Sequence, residues 1–456
     1  MKALFCRALI LVCLCSLISL RPVLAQYTDP AVINDLGGPQ EFARRRQELA
    51  KQMKQGILVL FARTQEPESS HYREDNDFFY FTGVADPGAV MVMNASDAKT
   101  TIFEPAQSPR IKQVYGPNLL SLSPDERQKF GYSVVMPVTD LDTFLTFMLS
   151  RGSELWLRMG FADKADGARP EVGRDYAAEY AHPYGEFLPG DRSALKKLAE
   201  RYPSAHQNDA TPLIDAMRNI KTASEITVLR RNGKLSAEGI RQAIAHAHPG
   251  MFEYQIEAQA DFVFRNGGAQ GWAYPAIVSS GDKVNTWHYF SDRQQIPSGT
   301  LVVFDFAADL DHETMDITRT FNISGKFPPE QAKWYQADLE AQKATIALLR
   351  PGHTYEEAAA AGKAVYEKNG IGNQWSETFP FPGHFVGLAT HDVLRPQGPV
   401  KAGQVVTVEP IIEFPEKHLH FRVEDTVLIT EGDPEILSSG VPKEMADVEK
   451  LVGSAK

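Results

Sequence analysis

The chain has almost no cysteine: Cys6, Cys13 and Cys15 are its three, all within the first fifteen of 456 residues. Beyond them no disulfide can form, so the protein must rely on its hydrophobic core, which this length can supply. Any metal it binds must then be held by oxygen and nitrogen rather than sulfur. Long apolar runs are missing too. The run Ala8 to Leu20 is too short to span a bilayer. It follows Lys2 and Arg7 and precedes Arg21, Pro22 and the small-residue pattern Val23-Leu24-Ala25. That layout predicts a secretory signal over residues 1–25, with Gln26 as the mature N-terminus and an exported, periplasmic or secreted product. No cysteine box for a lipid follows, so no membrane anchor is expected once the signal is removed. Positive charge is also scarce. The signal removes three of the 47 basic residues and none of the 58 acidic ones, leaving 44 against 58, a net charge of −14. That balance argues against a nucleic-acid or anionic-membrane partner.

What remains is ordinary globular composition, 43% hydrophobic and 23% charged, at a length that favours two domains. Residues 26–215 read as an α/β unit. A basic amphipathic helix at Phe42–Met53 precedes apolar runs at Ile57–Phe61, Phe78–Phe81, Ala89–Met93, Val134–Val138 and Leu155–Leu157. Helical stretches near 124–130 and 139–150 lie between them, which suggests a sheet with helices on its faces. The aromatic stretch Tyr72–Gly83 reads as a buried strand with a polar lead-in, or as a wall or subunit contact of a neighbouring site; a homo-oligomer is left open. No catalytic cluster shows in this unit.

Residues 216–456 repeat themselves. The capping box Thr222-x-x-Glu225 starts a long helix that ends before His248-Pro249-Gly250, and a second helix ends at Asn266-Gly267. The second copy ends one helix before Arg350-Pro351-Gly352, opens the next with Thr354-x-x-Glu357 and closes it at Asn369-Gly370. Pro249 precedes Asp305 by 56 residues; Pro351 precedes Glu409 by 58. Pro249 precedes His288 by 39; Pro351 precedes His391 by 40. Offsets that match down to acids and histidines imply two pseudo-symmetric halves, each giving two acids to one site.

The acids sit where acids are costly. Asp305 and Asp316 lie in D-F-A-(x)8-D-I-T-R-T-F, two β-rich runs around an acidic turn. A hairpin centred between Leu310 and Asp311 would set 305 opposite 316, with Cβ atoms about 5 Å apart. Two carboxylates so close among Val, Phe and Ile need a proton or a cation between them. Glu409 in T-V-E-P and Glu424 in F-R-V-E-D repeat the pattern in valine-rich strands, with Arg422 as an alternative ion-pair partner. His384, in G-H-F-V-G-L, completes a ligand set for a two-metal hydrolytic site. His288 and His391 are candidate site-lining groups that bind substrate or relay protons.

In order and spacing these motifs resemble the pita-bread metallopeptidases: methionine aminopeptidase, prolidase, creatinase and aminopeptidase P. Phe-Ala-Arg-Arg-Arg at 42–46 and Asn76-Asp-Phe-Phe-Tyr-Phe-Thr-Gly83 resemble the aminopeptidase P N-terminal domain. The resemblance implies an α/β N-terminal domain followed by an α+β pita-bread domain with an internal pseudo-twofold. It implies removal of an N-terminal residue that precedes proline, with two divalent ions, usually manganese, and peptides with proline at position two as substrates. Asp305 would hold one metal, Asp316 and Glu424 would bridge both, and His384 and Glu409 would complete the second site. Glu409 would pass a proton from the attacking water to the leaving nitrogen. His288 and His391 would line the proline side, and Arg422 would bind there and brace Glu424. The chain departs from the family pattern at Pro380, where a histidine is usual, and at Ile411, where Glu-Pro-Gly is usual. Alternative readings are a dipeptide-restricted prolidase, a creatinase-type amidinohydrolase and a pita-bread protein that only binds partners.

Overall fold

The computed structural model describes residues 28–64, 72–149, 154–184, 190–378 and 380–455. The expected signal, 1–25, lies outside the described residues. No helix among the described residues is long and apolar enough to cross a membrane.

The N-terminal part is a mixed six-stranded sheet. Its strands are β1 (Ile57–Phe61), β2 (Val90–Asn94), β3 (Thr100–Glu104), β4 (Val135–Pro137), β5 (Glu154–Leu157) and β6 (His206–Asp209), in the order β4-β3-β2-β1-β5-β6. Its residues alternate between two cores: Leu58, Leu60, Met91 and Met93 feed one, Ile57, Val59, Val90 and Val92 the other. That period of two is what a sheet covered on both faces requires.

One expectation is overturned here. Asn76–Thr82 is a helix, not a strand. Asp75 accepts the Phe78 N–H at 2.9 Å as its N-cap, and Gly83 ends it at φ 65°. All seven helical residues are buried, so no polar face interrupts the run to give it a helical period.

The C-terminal part shows the repeat as two helix pairs, each leading into strands. The first pair is Ala223–His246 and Glu253–Asn266; the second is Pro329–Ile346 and Tyr355–Lys368. Paired single bridges mark equivalent points: Phe252↔Gln295 in one half, Thr354↔Pro399 in the other. The first half carries β7 (Gly271–Trp272), β8 (Ile277–Ser280), β9 (Leu301–Asp305), β10 (Ala308–Asp309) and β11 (Thr318–Asn322). The second carries β12 (Val405–Val408), β13 (Ile411–Phe414), β14 (Leu419–Arg422), β15 (Asp425–Leu428) and β16 (Glu435–Ile436). Sheets β11-β9-β8 and β12-β15-β16 and the hairpin β13-β14 pack around one core.

The first hairpin's register differs from the expected one. Asp305 pairs with Thr318, not Asp316, and Leu310 bridges Glu313. The turn is therefore centred between Asp311 and His312, at φ 53° and 66°. A two-residue hairpin turn of this kind needs two left-handed residues, and Asp and His tolerate that region better than Leu310 would. The shift is two in the pairing sum, so the parity holds. Asp305 and Asp316 become diagonal neighbours on one face rather than direct opposites.

Candidate metal centre

Each half delivers its acids on strand ends. The second hairpin keeps one register throughout: Val405↔Leu428 to Val408↔Asp425, then Ile411↔Arg422 to Phe414↔Leu419. Glu409 and Glu424 fall opposite each other at the break between these two stretches. The ladder breaks because both backbone N–H groups bond elsewhere, Glu409 to the Pro382 carbonyl at 2.9 Å and Glu424 to the Thr318 carbonyl at 3.0 Å. His384 arrives on a segment laid along β12: its N–H donates to Thr407 Oγ1 at 3.0 Å and its carbonyl accepts the Thr407 N–H at 2.8 Å. Gly383, at φ 155°, permits this approach, since a Cβ there would stand 2.2 Å from the Thr407 carbonyl oxygen.

The five expected ligands come together. Ligand atoms of Asp305, Asp316 and Glu424 lie within 4.8 Å of one another, as do those of His384, Glu409 and Glu424. A third such group is Asp316, His384 and His391. Glu424 joins the first two groups, and Asp316 and His384 link them to the third. His384 Nε2 is 3.3 Å from Asp316 Oδ2 and 3.3 Å from Glu409 Oε1. The Tyr274 hydroxyl lies 2.5 Å from Asp305 Oδ1 and 2.6 Å from Asp316 Oδ1. Thr318 Oγ1 donates to Glu424 Oε2 at 2.6 Å.

Charge is out of balance here. Arg422 donates to Asp305 Oδ2 at 2.7 Å and not to Glu424, which corrects the expected brace. Its buried guanidinium therefore lies against Asp305. Glu424 Oε1 is buried with no partner. Burial, then Asp316, Glu409 and Asp305, push the Glu424 carboxyl well up. Burial raises Asp305 to about 7, with Asp316 and Glu409 adding to it against the opposing pull of Arg422. Burial would also raise Asp316 and Glu409 and lower His384, but their mutual contacts win: the two acids fall and the imidazole rises. One hydroxyl proton on Tyr274 cannot serve both aspartates, so the second short contact needs a proton from the carboxyl side. A hard divalent cation would replace those protons. Four carboxylates, one imidazole and an orphaned buried oxygen are the donor set it requires.

The two other histidines differ in exposure, His391 being half-buried and His288 exposed. His391 lies with its ring 4.1 Å from that of His384. His288 is exposed at the rim, within electrostatic reach of Glu409, Glu171, His391 and Arg422. Trp287 Nε1–H donates to Glu413 at 3.1 Å and Asn285 to the Leu419 carbonyl at 2.9 Å, which ties the His288 segment to the β13-β14 hairpin. Pro380 is exposed, and its carbonyl accepts the Trp375 indole N–H at 2.8 Å.

Tyr274, Thr318, Thr407 and Glu171 escaped the sequence reading. A threonine in a strand and a tyrosine before a proline carry no distinguishing signal. Glu171 looks like any acid in a helix's first turn, yet it belongs to the N-terminal part and its carboxylate meets His391 Nδ1 at 2.7 and 2.9 Å. Burial would raise Glu171, but the bond and charge of His391 bring it down to about 2.

Both parts of the chain are similar to known proteins. The profile of Metallopeptidase family M24 matches residues 227–431, and that of the Aminopeptidase P N-terminal domain matches residues 42–156. The Xaa-Pro aminopeptidase of Escherichia coli K12 is 29% identical over 460 residues, covering 91% of this chain and 98% of that protein. Among solved structures, Pseudomonas aeruginosa aminopeptidase PepP superposes with a TM-score of 0.75 at 27% identity, covering 91% of this chain and 98% of that one. E. coli aminopeptidase P with the inhibitor Pro-Leu gives the same TM-score, identity and coverage.

Proposed function

From the premise that this chain belongs to metallopeptidase family M24, with an aminopeptidase P N-terminal domain, we propose that it is a metalloaminopeptidase that releases an N-terminal residue standing before proline. The observation that carries the reading is the convergence of Asp305, Asp316, His384, Glu409 and Glu424 from the two halves of the C-terminal part onto one buried, cation-deficient point.

Asp305, Asp316 and Glu424 would hold one divalent ion, and Asp316, Glu424, His384 and Glu409 the other. Bound there, two such ions supply Lewis acidity toward the scissile carbonyl and lower the pKa of the attacking water. The remaining chemistry falls to side chains. Glu409 accepts the water's proton as the new C–O bond forms. As the C–N bond breaks it returns that proton to the proline nitrogen, which carries no hydrogen in the peptide and cannot leave without one. His391 and His288 would line the proline side. Arg422 and Tyr274 keep the aspartates in place.

Manganese suits the oxygen-rich set. A zinc-substituted E. coli aminopeptidase P has been solved in complex with product, so the ion in this chain needs its own determination. The N-terminal run supports export to the periplasm or beyond. A dipeptidase reading is favoured by the 32% identity to Pyrococcus furiosus Xaa-Pro dipeptidase, but that likeness spans 48% of this chain. The test is cleavage of Xaa-Pro peptides of graded length by the chelator-stripped and manganese-restored protein. Tripeptides and longer chains should be cut only after restoration. Cleavage confined to dipeptides would shift the reading to a dipeptidase, and no cleavage at full metal load would reject it.

A further inference from the structure

Among the described carboxylates of the N-terminal part, Glu171 is the one that reaches a histidine of the metal centre. We infer that Glu171 is a positioning residue for His391: it fixes the imidazole's orientation and tautomer so that the opposite nitrogen faces the substrate. The inference rests on the aminopeptidase reading above and adds a residue from the N-terminal part to its machinery.

The geometry argues for orientation rather than stability. Glu171 presents both oxygens to His391 Nδ1, at 2.7 and 2.9 Å. A carboxylate accepts, so Nδ1 must carry the hydrogen, and Nε2 is the nitrogen left for the site. The pair is about one-third exposed, 28% for His391 and 31% for Glu171, and an ion pair so exposed adds little to folding. A ring nitrogen of His391 lies within 4.8 Å of ligand atoms of Asp316 and His384, so a rotation of this ring is felt where the chemistry occurs.

The carboxylate is itself rigidly held. Glu171 sits in the first turn of the helix Arg169–Ala181, where Oε2 also accepts the Ala168 N–H at 2.8 Å. Two residues earlier, buried Arg169 bonds Asp77 and Asp215, each at 2.8 Å. Asp77 also binds Arg218 at 2.7 Å, and Arg218 binds Asp392, the residue after His391, at 2.5 Å. The Thr390 N–H donates to the Ala165 carbonyl at 2.7 Å. The chain on both sides of the Glu171–His391 contact is therefore anchored to the same buried network. The rest of that helix is largely solvent-exposed, so its N-terminal end is the part that works.

The test is a double-mutant cycle on the full-length, manganese-loaded protein with an Xaa-Pro tripeptide. Glu171→Ala should lower kcat about 10- to 100-fold, the usual cost of losing the partner that orients a histidine at a metal site. KM should stay within about threefold and metal content should be unchanged. In a His391→Ala background the same substitution should change kcat by less than about twofold, because the ring it orients is gone. His391→Asn serves as the background if alanine leaves too little rate to measure. An equal loss in both backgrounds would mean that Glu171 merely caps its helix, and an unchanged kcat in the single variant would mean that it does nothing for the reaction; either overturns the inference. If the parent protein cleaves no Xaa-Pro peptide, the aminopeptidase reading fails with it; if the parent cleaves and Glu171→Ala does so with an unchanged kcat, the positioning role alone is lost.

Discussion

The two halves of the C-terminal part reach the same end by different means. The first sets its acids diagonally across a tight turn at Asp311–His312, while the second sets Glu409 and Glu424 face to face in a hairpin closed beyond Phe414. Tyr274 serves both aspartates within the first half and His384 reaches Glu409 within the second, but neither half satisfies its acids alone. Arg422 and His384, from the second half, serve Asp305 and Asp316 of the first, and Thr318 of the first half serves Glu424 of the second. Thr426 Oγ1 donates to the Asp316 carbonyl at 2.7 Å, and Arg422 N–H donates to Thr320 Oγ1 at 3.0 Å, so the seam between the halves is closed by polar side chains. A duplicated plan has become one cross-braced site, in which each half supplies what the other lacks.

The largest effect should come from the acids shared between the groups. Asp316→Ala or Glu424→Ala should lose both metals and all measurable activity, whereas Asp305→Ala should lose one. Full metal content in either of the first two variants would rule out a bridging role. Next come the histidines. His391→Ala or His288→Ala should keep both metals and lower kcat by about tens- to a thousandfold. If peptides with alanine at the second position are cut as fast as those with proline, neither histidine is reading the substrate as proposed. Weaker still is the brace across the seam. Thr318→Val keeps the shape, removes the hydroxyl from Glu424 and should weaken metal affinity about 10- to 100-fold. Unaltered affinity would show that the halves do not support each other there.

Acid should loosen the metals in a defined direction. In the metal-free protein the Asp305 carboxyl is raised to about 7, chiefly by burial, so below that pH it holds a proton that a cation must displace. Apparent affinity should therefore fall as pH drops from about 8 to about 6, by up to about tenfold per pH unit for each proton displaced. Calorimetric titration giving one affinity across that range would contradict the proton–metal exchange. The smallest expected change is at Pro380→His, which should speed cleavage of simple Xaa-Pro peptides by at most about tenfold. Pro380 is exposed, so a histidine there would add one partly solvated hydrogen bond. Unchanged rates in a folded, metal-loaded variant would assign that role elsewhere.

Much of this was legible in the sequence because charge in an apolar strand is rare and has few explanations. The acids in D-I-T-R-T-F and F-R-V-E-D stood out among Val, Ile and Phe, and the repeat offsets said that they belonged together. Parity along a strand survived the misplaced turn, so the facing of Asp305 and Asp316 was right although their pairing was not. The failures came where local pattern carries no information. Asn76–Thr82 is buried on all sides, so its helical period was invisible. Arg422 is two residues from Glu424, and the sequence favours that partner. Only the fold brings it instead to Asp305, 117 residues away. Glu171 meets His391 across 220 residues, and nothing in a first-turn glutamate announces such a contact.

The central claim is that two unlike halves build one dinuclear site, and elemental analysis of the purified, manganese-saturated full-length protein tests it most directly. The account predicts two ions per chain in the parent protein, falling together to none in Glu424→Ala. One ion in the parent, or two retained when Glu424 is removed, would contradict it.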